Sequence, residues 1–83
     1  MYQIVIDIDF FFNGNCIGNS HETYNYQNER VAIKYYKDDV WNIQGIINNT
    51  LIQNDNFTIY AQVTLYHVEN NESFVIRHYE ADV

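Results

Sequence analysis

The feature that most limits the fold is the run "YQIVIDIDFFF", residues 2–12, followed at once by Asn13-Gly14. Tyr2, Ile4, Ile6, Ile8, Phe10 and Phe12 alternate with Gln3, Val5, Asp7, Asp9 and Phe11. Successive side chains of a strand point to opposite faces, so a period of two predicts a half-buried strand with one apolar and one mixed face. Asn-Gly is a strong turn signal, because both residues tolerate the positive φ that a tight turn requires. Residues 15–29, "NCIGNSHETYNYQNE", are polar and contain Gly18; they read as a long loop with a short edge strand near Thr23–Gln27. A loop of that length in so small a domain is a candidate functional segment. "RVAIKYYK", residues 30–37, reads as a second strand, with Val31, Ile33 and Tyr35 on one face and Arg30, Ala32, Lys34 and Tyr36 on the other.

The period then changes. Val40, Ile43, Ile46, Ile47 and Leu51 fall at helical spacing in "DDVWNIQGIINNTLIQN", which predicts an amphipathic helix. Asp38 or Asp39 is the expected cap, its negative charge suiting a helix N-terminus. Gly45 costs about 1 kcal/mol relative to Ala inside a helix, and close approach of the helix to the sheet is the expected compensation. Asn54, Asp55 and Asn56 supply turn chemistry. Two further strands follow: Phe57, Ile59, Ala61, Val63 and Leu65 form one face of "FTIYAQVTLYHVE", and Thr58, Tyr60, Gln62, Thr64 and Tyr66 the other. A two-residue turn at Asn70-Asn71 sets Glu69 opposite Glu72, Leu65 opposite Ile76 and Thr64 opposite Arg77, with Phe74 and Ile76 on the apolar face. The sum is an α+β fold of order β-β-α-β-β. One helix covers one face of a four-stranded, mainly antiparallel sheet and leaves the other face open.

With 83 residues the chain has material for a single domain, 1–83, and 47% of it is hydrophobic, which argues against disorder. The net charge of −7 disfavours direct binding to nucleic acid or to an anionic membrane and favours a basic protein surface. No apolar run approaches the roughly 20 residues of a membrane helix. Cys16 is the only cysteine, so an internal disulfide is excluded. A lone thiol and an N-terminus without a basic start or cleavage site suggest the cytoplasm. Asn48, Asn56 and Asn71 each begin an N-x-Ser/Thr triplet, which carries no weight in so Asn-rich a chain.

Asp7 and Asp9 are the one constellation with the spacing of a catalytic or metal-binding pair, roughly 7 Å apart on one strand face. The "DxD" after a hydrophobic strand resembles the nucleophile motif of haloacid dehalogenase-type phosphatases. Phe11 and Phe12, however, stand where threonine and glycine should follow, and the chain is too short for that fold. The simpler reading is a solvated face on which Arg30 and Lys34 of strand two neutralise the aspartates. His67 and His78 fall on the apolar face in the expected register, too far apart for a shared metal. His21 with Glu22 lies in the loop beside Cys16, without a third group to orient a Cys-His pair. No catalytic residue, metal ligand or cofactor is assigned.

The remaining argument is the surface. Residues 1–29 hold four acids and no base, residues 30–37 three bases, and residues 38–83 seven acids and one base. The open sheet face is expected to carry Asp7, Asp9, Tyr36, Tyr60, Tyr66 and Tyr79, and the loop adds Glu22, Tyr24 and Tyr26. Tyrosine combines apolar area with a hydrogen-bonding tip, the profile of an interface residue. Carboxylates take the place of phosphates, and tyrosine rings the place of bases, against a basic nucleic-acid-binding protein. In size, acidity and Asn/Ile/Tyr-rich composition the chain resembles the small phage-encoded proteins that block host defence, anti-CRISPR proteins among them. That resemblance implies inhibition by stoichiometric binding, for example to the basic channel of a CRISPR effector, and carries over no residue role. The alternatives are an assembly module that homodimerises through its open face or an edge strand, and a small metal-dependent enzyme using Asp7 and Asp9.

Overall fold

The structure, a computed structural model, describes residues 1–53 and 56–82, with side chains described for all of these but 50–53. Its elements are β1 (Tyr2–Phe12), β2 (Asn15–Tyr26), α1 (Glu29–Gln53), β3 (Phe57–Glu69) and β4 (Glu72–Asp82). The four strands form one antiparallel sheet in the order β2-β1-β3-β4, with α1 on one face, so the fold is the expected α+β arrangement.

Both hairpins turn in two residues. Asn13 and Gly14 have φ of 51° and 81°, and Asn70 and Asn71 have φ of 53° and 64°. Two consecutive positive φ values match the right-handed twist of the flanking strands, which is why Asn-Gly and Asn-Asn serve here. The Asn13 amide also donates to the Asn56 carbonyl at 3.0 Å, tying the first hairpin to the start of β3.

Two sequence expectations are corrected in this half of the chain. Residues 15–26 are a full edge strand: the short edge strand expected near Thr23–Gln27 is the end of one that takes up most of the expected loop. The strand has no apolar periodicity because it lies at the sheet edge, and neither β2 nor β4 contributes a buried apolar residue among those described. Residues 30–37 are the first two turns of α1 rather than a strand. Their apolar residues fit both periods, since Val31, Ile33 and Tyr35 alternate while Ala32 and Tyr36 lie four apart. The long-range pattern decides: Ala32 and Tyr36 continue into Ile43 and Ile47 as one buried stripe.

The helix start moves accordingly. Asn28, not Asp38 or Asp39, is the cap: its Oδ1 accepts from the Val31 amide at 3.2 Å, and its carbonyl from the Ala32 amide at 3.0 Å. Asn54 and Asp55, expected to end the helix, lie outside the described residues. A Cβ at Gly45 would meet nothing within 4 Å, so this glycine faces solvent and does not mediate a close approach to the sheet.

The core is built from the two central strands and the helix: Ile4 and Ile6, Ile59, Ala61, Val63 and Leu65, and Ala32, Tyr36, Ile43 and Ile47. Ile4, Val63 and Leu65 are fully buried, and each such side chain contributes roughly 1.5–3 kcal/mol of transfer free energy. Each edge strand carries a bulge. On β2, Phe10 pairs with Gly18 but Phe11 with Cys16, so Ile17 is the extra residue. On β4, Leu65 pairs with Arg77 but Tyr66 with Val75, so Ile76 is the extra residue. The β4 bulge corrects the expected register. Glu69 does face Glu72, but Leu65 lies opposite Arg77 instead of Ile76, and Thr64 opposite His78 instead of Arg77. Phe74 stays on the helix side, paired with His67, while Ile76 drops out of the alternation. From Arg77 onward every β4 side chain therefore points to the face opposite the one expected.

Candidate functional site

The face of the sheet turned away from α1 can be read row by row from the strand register. Across β2, β1, β3 and β4 the rows are Asn25-Gln3-Tyr66-Val75, Thr23-Val5-Thr64-His78, His21-Asp7-Gln62-Glu80 and Asn19-Asp9-Tyr60-Asp82. Asp7, Asp9, Tyr60 and Tyr66 thus lie where the sequence placed them. Their position follows from Ile4 and Ile6 going to the core on the opposite face.

Tyr36 and Tyr79 do not belong to this face. Tyr36 is a buried helix residue whose phenol is raised above its usual value chiefly by burial, and Tyr79 packs against the core from the helix side. Glu22, Tyr24 and Tyr26 also sit on the helix side, paired with Ile6, Ile4 and Tyr2. In exchange, the β4 bulge brings Glu80 and Asp82 onto the open face, two acids that the sequence pattern had turned away. The pattern of β4 alone carries no signal for them, because a bulge is set by how two strands pair.

The expected neutralisation of Asp7 and Asp9 by Arg30 and Lys34 is also overturned, because both cations are on α1, across the sheet. The actual neighbour is Asn19. Its carboxamide donates to Asp7 Oδ1 at 2.9 Å and to Asp9 Oδ1 at 2.7 Å. One neutral amide therefore holds both carboxylates without cancelling their charge. His21 Nδ1 is 3.6 Å from Asp7 Oδ2, in a pair that is largely solvent-exposed. On the other side, Tyr60 donates its hydroxyl hydrogen to Glu80 and accepts from Gln62 Nε2 at 2.6 Å. The bond to the carboxylate is the main reason the Tyr60 phenol is held above its usual value. Thr64 Oγ1 and His78 Nδ1 are 2.9 Å apart, and His78 Nε2 is 3.7 Å from Glu80.

The cations are confined to one side of the sheet, while acids lie on both. Asp7, Asp9, Glu80 and Asp82 lie on the open face, whereas Arg30, Lys34, Lys37 and Arg77, all the lysines and arginines of the chain, lie on the helix or the helix side of the sheet. The two acidic pairs are on strands separated by β3, so about 10 Å of sheet lies between them, occupied by Gln62 and Tyr60.

Histidines and cysteine take ordinary places. His67 stacks on Tyr2 with ring centroids 4.8 Å apart on the helix side, while His78 is on the open face rather than the apolar one. Cys16 and His21 are five residues apart on one extended strand, roughly 15 Å, and the Cys16 thiol donates to the Gly18 carbonyl at 3.6 Å. Among the described residues no three His, Cys, Asp or Glu side chains converge as metal ligands, and no helix is long and apolar enough to cross a membrane. Compared with known proteins, the chain matches no family model, no curated protein and no solved structure.

Proposed function

We propose that this protein is a non-catalytic binding module whose open sheet face occludes a basic surface on a nucleic-acid-binding protein, acting in the cytoplasm as a stoichiometric inhibitor of the phage anti-defence, anti-CRISPR kind. The observation that carries this reading is the charge of the open face: four carboxylates and no lysine or arginine. Two acidic rows about 10 Å apart fall within the range of B-DNA groove widths, about 6 to 12 Å. Tyr60, set among the acids, and Tyr66, two rows from the nearest of them on the same face, offer rings to groups that otherwise stack on bases. The hydrogen bonds from Asn19 and Tyr60 fix the carboxylates in place, which lowers the ordering cost of binding.

The test is a pull-down from host lysate with immobilised protein at low and at high salt. Basic nucleic-acid-binding proteins should be retained at low salt, released as salt rises, and lost when Asp7→Lys and Asp9→Lys are combined in a folded variant. An unchanged retained set with that variant contradicts the assignment of the face.

A second reading is supported by the β4 edge. Phe74 and Val75 are more than half exposed beside the free hydrogen-bonding edge of β4, a surface suited to strand pairing with a second copy. Light scattering separates the two readings: a monomer at micromolar concentration removes the assembly module, and a tight dimer favours it.

A further inference from the structure

The helix covers β1 and β3 but leaves a groove between itself and β2, a cavity of about 330 Å³. Its floor is Ile6, Ile8 and Phe10, and Glu22 of β2, Asp39 and Ile46 of α1 line it above. Glu22 accepts a hydrogen bond from the Tyr24 hydroxyl at 2.7 Å. Among the described residues neither Glu22 nor Asp39 has an ion-pair partner. Two carboxylates from different elements thus face one apolar trough with no cation to balance them. Asp39 is the half-buried one of the two, which is unfavourable for an unpaired carboxylate, and burial together with Asp38 and Glu22 holds its carboxyl above the ordinary range.

We propose that this groove is a receptor for an arginine side chain of a protein partner, its methylenes laid on Ile6, Ile8 and Phe10 and its guanidinium between Glu22 and Asp39. Each part of the groove matches a part of that side chain. Apolar floors take the aliphatic stem of long cations. A planar fork of donors suits two acceptor carboxylates. Charge complementarity selects this occupant over an apolar one, which would leave both carboxylates desolvated and unpaired. The groove lies on the other side of the sheet from the open face, so it stands or falls independently of the reading of that face.

The experiment is an amide chemical-shift titration of the full chain with the peptide acetyl-Gly-Arg-Gly-amide, alongside its lysine and norleucine counterparts. The arginine peptide should give saturable shifts at Ile6, Ile8, Glu22, Asp39 and Ile46, the lysine peptide weaker ones at the same residues, and the norleucine peptide none. Glu22→Gln combined with Asp39→Asn should weaken arginine-peptide binding by about tenfold or more, with the rest of the spectrum unchanged, while Asp7→Lys with Asp9→Lys should leave it intact. The proposal is overturned by shifts that do not saturate, by shifts confined to the open face, or by equal binding of the norleucine peptide.

Discussion

Asn19 and Asp39 are the two positions where a single side chain sets the electrostatics. Asn19 donates both amide hydrogens to carboxylates that carry like charge on one strand face. Asn19→Asp replaces the donor with a third carboxylate, and denaturant unfolding should show a loss of about 1 kcal/mol at neutral pH. Asp39 presents the opposite case. Its carboxyl is held above the ordinary range by burial, then by Asp38 and Glu22, so the folded state binds the proton more tightly than the unfolded chain does. The sign follows: its charge destabilises the fold above the folded-state value, and the penalty vanishes once the pH falls below the unfolded one. Asp39→Asn should therefore raise the thermal midpoint at pH 7 and leave it unchanged in strong acid. A lower midpoint at pH 7 contradicts this account of Asp39.

At the scale of elements, Asn28 makes the corrected helix start testable. Asn28→Ala should cost about 1 kcal/mol in denaturant unfolding, and Asp38→Ala much less, because Asp38 lies well inside α1. Equal costs would contradict the cap. The same elements show what was legible beforehand. Strand β1, both turns and the inward face of β3 could be read because each has one buried face, and burial forces alternation. That legible part positioned Asp7, Asp9, Tyr60 and Tyr66. Most of β2 could not be read from hydrophobicity, since an edge strand with no buried apolar residue leaves little apolar imprint; Asn13-Gly14 and the stretch near Thr23–Gln27 were its local signs. The first turns of α1 hold Val31, Ala32, Ile33, Tyr35 and Tyr36, a run apolar at both periods, which made them pass for a strand and misplaced Tyr36. The bulge at Ile76 inverted β4, hiding Glu80 and Asp82 and sending Tyr79 to the wrong side. A bulge is set by how two strands pair, which one strand's own pattern does not record.

The whole molecule is a thin plate, 43 × 22 × 14 Å, with an acidic sheet face and its cations gathered on the other side. The open face bears four carboxylates and no lysine or arginine, and under the proposed function this charge steers a basic partner to it. The α1 surface still carries Trp41, 74% exposed, near Lys34 and Lys37 in sequence, and nothing in the acidic-face account uses it. The proposed function rests on the open face supplying the binding electrostatics. It is tested most directly by the salt dependence of affinity for a captured partner, measured for the wild type and for a variant combining Asp7→Asn, Asp9→Asn, Glu80→Gln and Asp82→Asn. The account predicts that neutralising the face weakens binding by at least about a hundredfold at low salt and flattens the slope of affinity against salt. Equal affinity and an unchanged slope in the folded variant would contradict it.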